Sequence, residues 1–237
     1  MSRSRSKKAG EPKASLRERA YAEIKSRILE ARYEPDELLS ENRLADELKI
    51  SRTPIREALR DLATAGLVRV LPQRGVAVSQ FTLQDVVEVY QLREELEGFA
   101  TRLAAERVGP ADAKGFAADH GRAVEALEAG KLRQAYDHSV LLHSRIIAMA
   151  RNARLARFMR QLEDQVHRFG LLTLRNGRAG PAIVEHGAII EALAAHDGAR
   201  AEVLMRAHLR ADRDMVLRLL LPVGLTDHEA VRATISA

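Results

Sequence analysis

The chain has 237 residues, is 46% hydrophobic and only 4% aromatic, and contains neither Trp nor Cys. It is long enough for one large or two modest cores, its composition favours helices over sheets, and disulfides and thiolate metal sites are excluded. The formal net charge is +5, and all of the excess lies in the first third: residues 1–80 hold 17 Lys/Arg against 12 Asp/Glu, residues 81–237 hold 21 of each. A segment that meets a polyanion is therefore expected ahead of a neutral one that does not.

The N-terminal "MSRSRSKKAG" is basic with no apolar stretch behind it, which does not fit a secretory signal. Residues 1–13 read as a disordered basic tail. From Ser15, Leu16, Ala20, Ile24 and Ile28 recur at helical spacing up to about Ala31, where "YEPDE" reads as a turn. Ser40 can cap a second helix, Glu41–Leu48. A third starts between Ser51 and Pro54 and buries Ile55, Ala58, Leu59 and Leu62, with Gly66 suited to follow its C-terminus. "LVRVLPQRGVAVS" alternates apolar residues around a turn, the signature of a β-hairpin. Three short helices and a hairpin, residues 14–80, predict a winged helix-turn-helix.

In such a fold the third helix enters the major groove with its first turn at the base edges. Arg52 and Arg56, four residues apart, share the face opposite the apolar stripe and can read guanine bidentately. Ser51 and Thr53 can reach phosphate or cap the helix. Arg74 at the hairpin tip, with Gly75 permitting close backbone approach, suits phosphates or the adjacent minor groove.

The run "YAEIKSRILEARYEPDELLSENRLADELKISRTPIREALRDLATAGLVRVLPQRGVAV", Tyr21–Val78, resembles the DNA-binding domain of the GntR family of bacterial transcription regulators. The resemblance implies a winged-helix homodimer on a short palindromic double-stranded operator. Many members carry a contacting Arg directly after the Glu of the second helix. Here that position is Asn42 and Arg43 follows, so Arg43 is the candidate for that contact.

Beyond Gln80 the pattern is helical throughout. Thr82 with Asp85 has the form of a capping box. Val86, Val89, Arg93, Leu96, Ala100 and Leu103 follow at helical spacing as far as Gly109-Pro110. Further helices are predicted at about 111–129, 131–150, 152–176, 181–196 and 198–221, punctuated by Gly130, Gly180 and Gly198. The fold class is mainly α, with an antiparallel helical bundle at 81–221 for effector binding and dimerisation, and a tail at 222–237.

His143, His186 and His208 each sit on an apolar stripe of a different helix. A lone inward His is most often a core residue; three on three helices raise the odds of a shared metal site, but spacing alone does not decide between the two, and none of them forms HExxH or another local metal motif. "VYQLREELEGFATRLAA", "LLHSRIIAMARNARL" and "EHGAIIEALAAHDGARAEVLMRAHL" resemble the all-helical FCD effector domain of FadR-type members. That resemblance implies a divalent metal (zinc, nickel or manganese) held by those three His and by an Asp one turn before the first. Ser139 occupies the Asp position, and Asp137 and His138 are rotated off the ligand face. Three neutral imidazoles in an apolar bundle would leave a cation's charge uncompensated, so a small carboxylate effector is expected to complete the site beside Ser139. Arg93 matches a family arginine; it either holds the effector or pairs with Glu97 at i, i+4.

The leading expectation is a ligand-responsive regulator, a cytoplasmic repressor without a membrane partner and without enzymatic activity. Two alternatives stand beside it: a hydrolase or lyase using the three-His site, and an architectural DNA-binding protein that senses nothing.

Overall fold

A computed structural model describes residues 15–30 and 32–221, which fall into two compact units divided after Gln80. The tails expected at 1–13 and 222–237 lie outside the described residues, as does Ala31.

The first unit contains α1 (Leu16–Leu29), β1 (Leu38–Leu39), α2 (Glu41–Leu48), α3 (Arg52–Thr64), β2 (Val68–Leu71) and β3 (Gly75–Val78). Ser15 and Glu18 cap α1 reciprocally, and Ser40 caps α2. Lys49 adopts a left-handed conformation at the end of α2 (φ 56°), which turns the chain sharply into α3. Ile24, Leu44, Ile55, Leu62 and Leu67 are fully enclosed, and their burial joins the three helices to the sheet. Each such aliphatic side chain contributes about 1.5–3 kcal/mol. Leu16, read as inward, is half exposed because it stands in the first turn of α1, at the end of the stripe.

The predicted hairpin forms, with Val70 opposite Val76 and Leu71 opposite Gly75. A third strand adds to it: β1 pairs antiparallel with β3, giving the order β1-β3-β2. Two residues are too few to show an alternation, so this strand carries no sequence signal. Asp36, left-handed at φ 66°, accepts from Arg69 and Gln80 and ties the turn before β1 to the end of the wing.

The second unit is the helical bundle: α4 (Leu83–Ala105), α5 (Pro110–Glu128), α6 (Leu132–Met149), α7 (Ala153–Arg175), α8 (Ala179–Ala194) and α9 (Gly198–Leu220). The Thr82–Asp85 capping box is present. α4 lies along α9, and Arg206–Glu95 and Arg210–Glu94 pair across that contact. Gly180, expected to separate two helices, lies inside α8; the break falls at Gly177, whose φ of 86° suits glycine. Among the described residues no helix is long and apolar enough to cross a membrane.

The packing leaves a cavity of about 390 Å³ lined by α4, α6, α7, α8 and α9. Gly170 makes its wall close: a Cβ there would stand 2.3 Å from the Tyr136 hydroxyl. An architectural protein would favour a sealed core, and this bundle is not sealed.

Candidate functional site

On the first unit, α3 begins with exposed Ser51, Arg52 and Thr53, and the Ser51 hydroxyl makes no capping bond. Arg52 and Arg56 are 61% and 50% exposed, and both lean on Glu41 of α2: Arg56 at 2.8 Å and Arg52 at 3.8 Å. Glu41 was not singled out in the sequence, because its contact spans fifteen residues and two helices. Arg56 holds the Glu41 carboxyl below its ordinary range against the opposing effect of burial. Arg43 is engaged by Glu47 at 2.7 Å and by Glu37 at 3.6 Å. At the wing, Arg74 donates its backbone N–H to Leu71 and is exposed beside Gly75. Gly75 has φ 103°, a conformation that any Cβ would strain.

On the second unit, the cavity contains the three histidines. His186 Nε2 stands 3.3 Å from His143 Nε2 and 3.2 Å from His208 Nε2. These three donor atoms are close enough to hold one ion. The outward nitrogens are fixed: His143 Nδ1 lies 2.6 Å from Glu97, and His208 Nδ1 lies 2.7 Å from Glu185. Ionised carboxylates can only accept, so both Nδ1 atoms carry protons, and in the neutral form of each ring the Nε2 atom presents a bare lone pair. Burial lowers the pKa of His143, with Glu97 opposing it, and lowers that of His186 further, with His208 and His143 adding to the effect. Neutral His186 has at most one Nε2 proton, which can serve only one of its two neighbours. One lone-pair contact is therefore left over, and a cation at the centre satisfies all three. The donor set fits a borderline divalent ion with imidazole ligands.

The surroundings differ from the apolar bundle expected of the sequence. Glu97 is buried, and although burial would raise its pKa, Arg93 and His143 hold it down at about 2. Glu185 is lowered too, as hydrogen bonds from His208 and Arg178 outweigh its desolvation. Asp212 lies one turn after His208, 3.5 Å from that residue's Nε2. Three carboxylates thus stand around three imidazoles, but Arg93 pairs with Glu97 and Arg178 with Glu185 and Asp212, so these groups leave one net negative charge and compensate a divalent cation only in part. Arg178 pairs with Glu185 at 3.1 Å, and its Nε lies 2.8 Å from Asp212 without hydrogen-bond alignment.

Arg93 pairs with buried Glu97 at 2.6 Å, as the i, i+4 reading has it, and it also lines the cavity. Ser139 lines the cavity as well. Asp137 pairs with Arg133 on the surface, and His138 is turned into a separate, much smaller void. Sequence reasoning missed Asp212 and Arg178. The i, i+4 spacing of Asp212 from His208 was a usable signal; Arg178 precedes α8 and belongs to no periodic stripe.

Residues 16–78 match the family described as "Bacterial regulatory proteins, gntR family", and residues 88–211 match the FCD domain. The chain is 29% identical to a gluconate operon transcriptional repressor of Bacillus licheniformis, over 88% of this chain and 82% of that protein. It is 32% identical to a probable D-xylose utilization operon transcriptional repressor of Paenarthrobacter nicotinovorans, over 72% of this chain and 75% of that one. The fold is also that of E. coli McbR/YncC, with a TM-score of 0.72 at 21% identity over 88% of this chain and all of that one.

Proposed function

The chain belongs to the gntR family of bacterial regulatory proteins and carries an FCD domain; it is a transcription regulator, not an enzyme, and from that premise we propose how it works. It is a cytoplasmic repressor that binds a two-fold operator as a homodimer and changes its DNA affinity when a small carboxylate enters the FCD cavity. The observation that carries this reading is the convergence of three Nε2 atoms on one point in a 390 Å³ cavity.

Arg52 and Arg56 exchange Glu41 for base edges on binding, while Ser51, Thr53, Arg43 and the Arg74–Gly75 tip contact backbone. His143, His186 and His208 hold a divalent metal, which supplies a Lewis-acid centre for a carboxylate; Glu97 and Glu185 orient two of the ligands. Arg93 and Ser139 face the effector. One relative is named for the gluconate operon, and gluconate is itself a carboxylate, which supports that ligand class.

The DNA assignment is tested on an operator selected from random duplexes. Replacing Arg52 or Arg56 by Ala is expected to cost about 1–3 kcal/mol and to relax specificity at one position, while Arg74→Ala weakens all sequences alike and lowers the salt slope by about one. Unchanged affinity in both helix variants overturns the assignment. Sedimentation of the full chain is expected to give twice the monomer mass, since a two-fold operator mirrors a two-fold protein. A monomer at micromolar concentration, still monomeric on the operator half-site, removes the dimer from the reading.

A further inference from the structure

We propose that the aromatic stack Tyr90–Phe169–Phe81 relays the state of the histidine centre to the peptide bond that joins the two units; the inference rests on the metal reading above. The contacts are continuous. His143 Nδ1 meets Glu97 at 2.6 Å, and Glu97 meets the Arg93 Nε at 2.6 Å. The Arg93 guanidinium lies 5.1 Å from the centre of the Tyr90 ring. Tyr90 stacks on Phe169 with centroids 5.8 Å apart and planes at 23°. Phe169 meets Phe81 edge-on at 4.7 Å, and the Arg168 guanidinium covers the Phe81 ring at 3.8 Å.

Tyr90 is 2% exposed and Phe169 is fully buried. Tyr90 borders the cavity, but neither Phe169 nor Phe81 lines it, so a displacement that reaches Phe169 is passed on by close packing. Phe81 is the first residue of the second unit. The Gln80 side chain donates to Asp36, and Ser79 N–H donates to Leu67 O, both within the first unit. One peptide bond therefore separates a residue held by the DNA-binding unit from a residue held by the bundle.

The input is electrostatic. A cation held by His143 would draw the Glu97 carboxylate more strongly to that ring, and Arg93 on the other Glu97 oxygen would meet a like charge. Arg93 sits over Tyr90 through a cation–π contact, so its shift moves the first ring of the stack. Tyr90 also lines the cavity, so an effector beside it acts on the same ring.

The chain contains no Trp, so Phe81→Trp places a single, selectively excited Trp at the far end of the relay. Zinc titrated into the full chain is expected to shift its emission, saturating at the same zinc concentration that calorimetry reports. Adding Phe169→Leu is expected to abolish the shift while zinc affinity stays within about twofold; Tyr90→Leu abolishes it from the other side whatever its effect on affinity, and Tyr90→Phe, which keeps the stack, retains it. Backbone hydrogen exchange of residues 79–85, with and without zinc, gives the same comparison with Phe81 left intact. Zinc bound by calorimetry with neither emission nor exchange altered overturns the relay, as does a shift undiminished in both stack variants. Absence of zinc binding in calorimetry is a separate result: it removes the metal centre, and the relay loses its input.

Discussion

His186→Ala is expected to lower zinc affinity by two orders of magnitude or more, measured by calorimetry on chelator-stripped protein. Structural zinc sites with four ligands gain roughly 10–16 kcal/mol, so each ligand carries about 3 kcal/mol. His186 is the pivotal member of the trio, since its Nε2 alone is hydrogen-bond close to both other nitrogens. Glu97→Gln is expected to do less, about 10–100-fold, because it leaves all three nitrogens and removes only the carboxylate that orients His143. The two effects differ in thermal melts as well. Saturating zinc stabilises the wild type by about 2.7 kcal/mol at one hundred times its Kd, and that increment disappears in His186→Ala. Equal zinc affinity in His186→Ala and wild type would place the ion elsewhere.

The architecture was legible in the sequence where a period or a cap repeats. Ser15, Ser40, Thr82 and the Ile55–Leu62 stripe marked their helices because each is a local pattern. The three histidines were legible for the same reason, each standing on one stripe of one helix. What could not be read was pairwise and long-range. The Glu41 contact with Arg56 crosses from α2 to α3, and the His143–Glu97 bond joins residues 46 apart. In the sequence Glu97 is only the i+4 partner of Arg93, and Glu185, adjacent to His186 on one helix, falls off that histidine's ligand face. Both readings are correct for the helix considered alone, yet each carboxylate reaches the outer nitrogen of a histidine on a different helix. A polar second layer of this kind has no period, because its members are chosen by what faces them in the bundle.

That layer alters the expected consequence of Ser139. With Glu97, Glu185 and Asp212 offset in part by Arg93 and Arg178, an effector carboxylate is needed for only part of the charge; its larger role is as a ligand, since serine's neutral hydroxyl is a poor donor to such a cation. Ser139→Asp adds that ligand from the turn before His143. Zinc affinity without effector is expected to rise about 10–100-fold, on the order of one further ligand's share less the cost of ordering it. The same carboxylate adds a fourth negative group to the cavity, so the metal-free variant is expected to melt a few degrees lower than wild type, about 1 kcal/mol in a bundle of this size. The sign of the stability change thus reverses between zinc-free and zinc-saturated melts. In the wild type, zinc and D-gluconate should each tighten the other by the same factor, as linkage requires, and Ser139→Asp should reduce that factor towards one by filling the position the ligand would take. Equal zinc affinities for wild type and variant would mean that the site is already complete in the wild type, with Asp212 the nearest candidate for the missing donor. In that case the coupling to gluconate should also be absent, so the two measurements together distinguish a site awaiting its ligand from one that is closed.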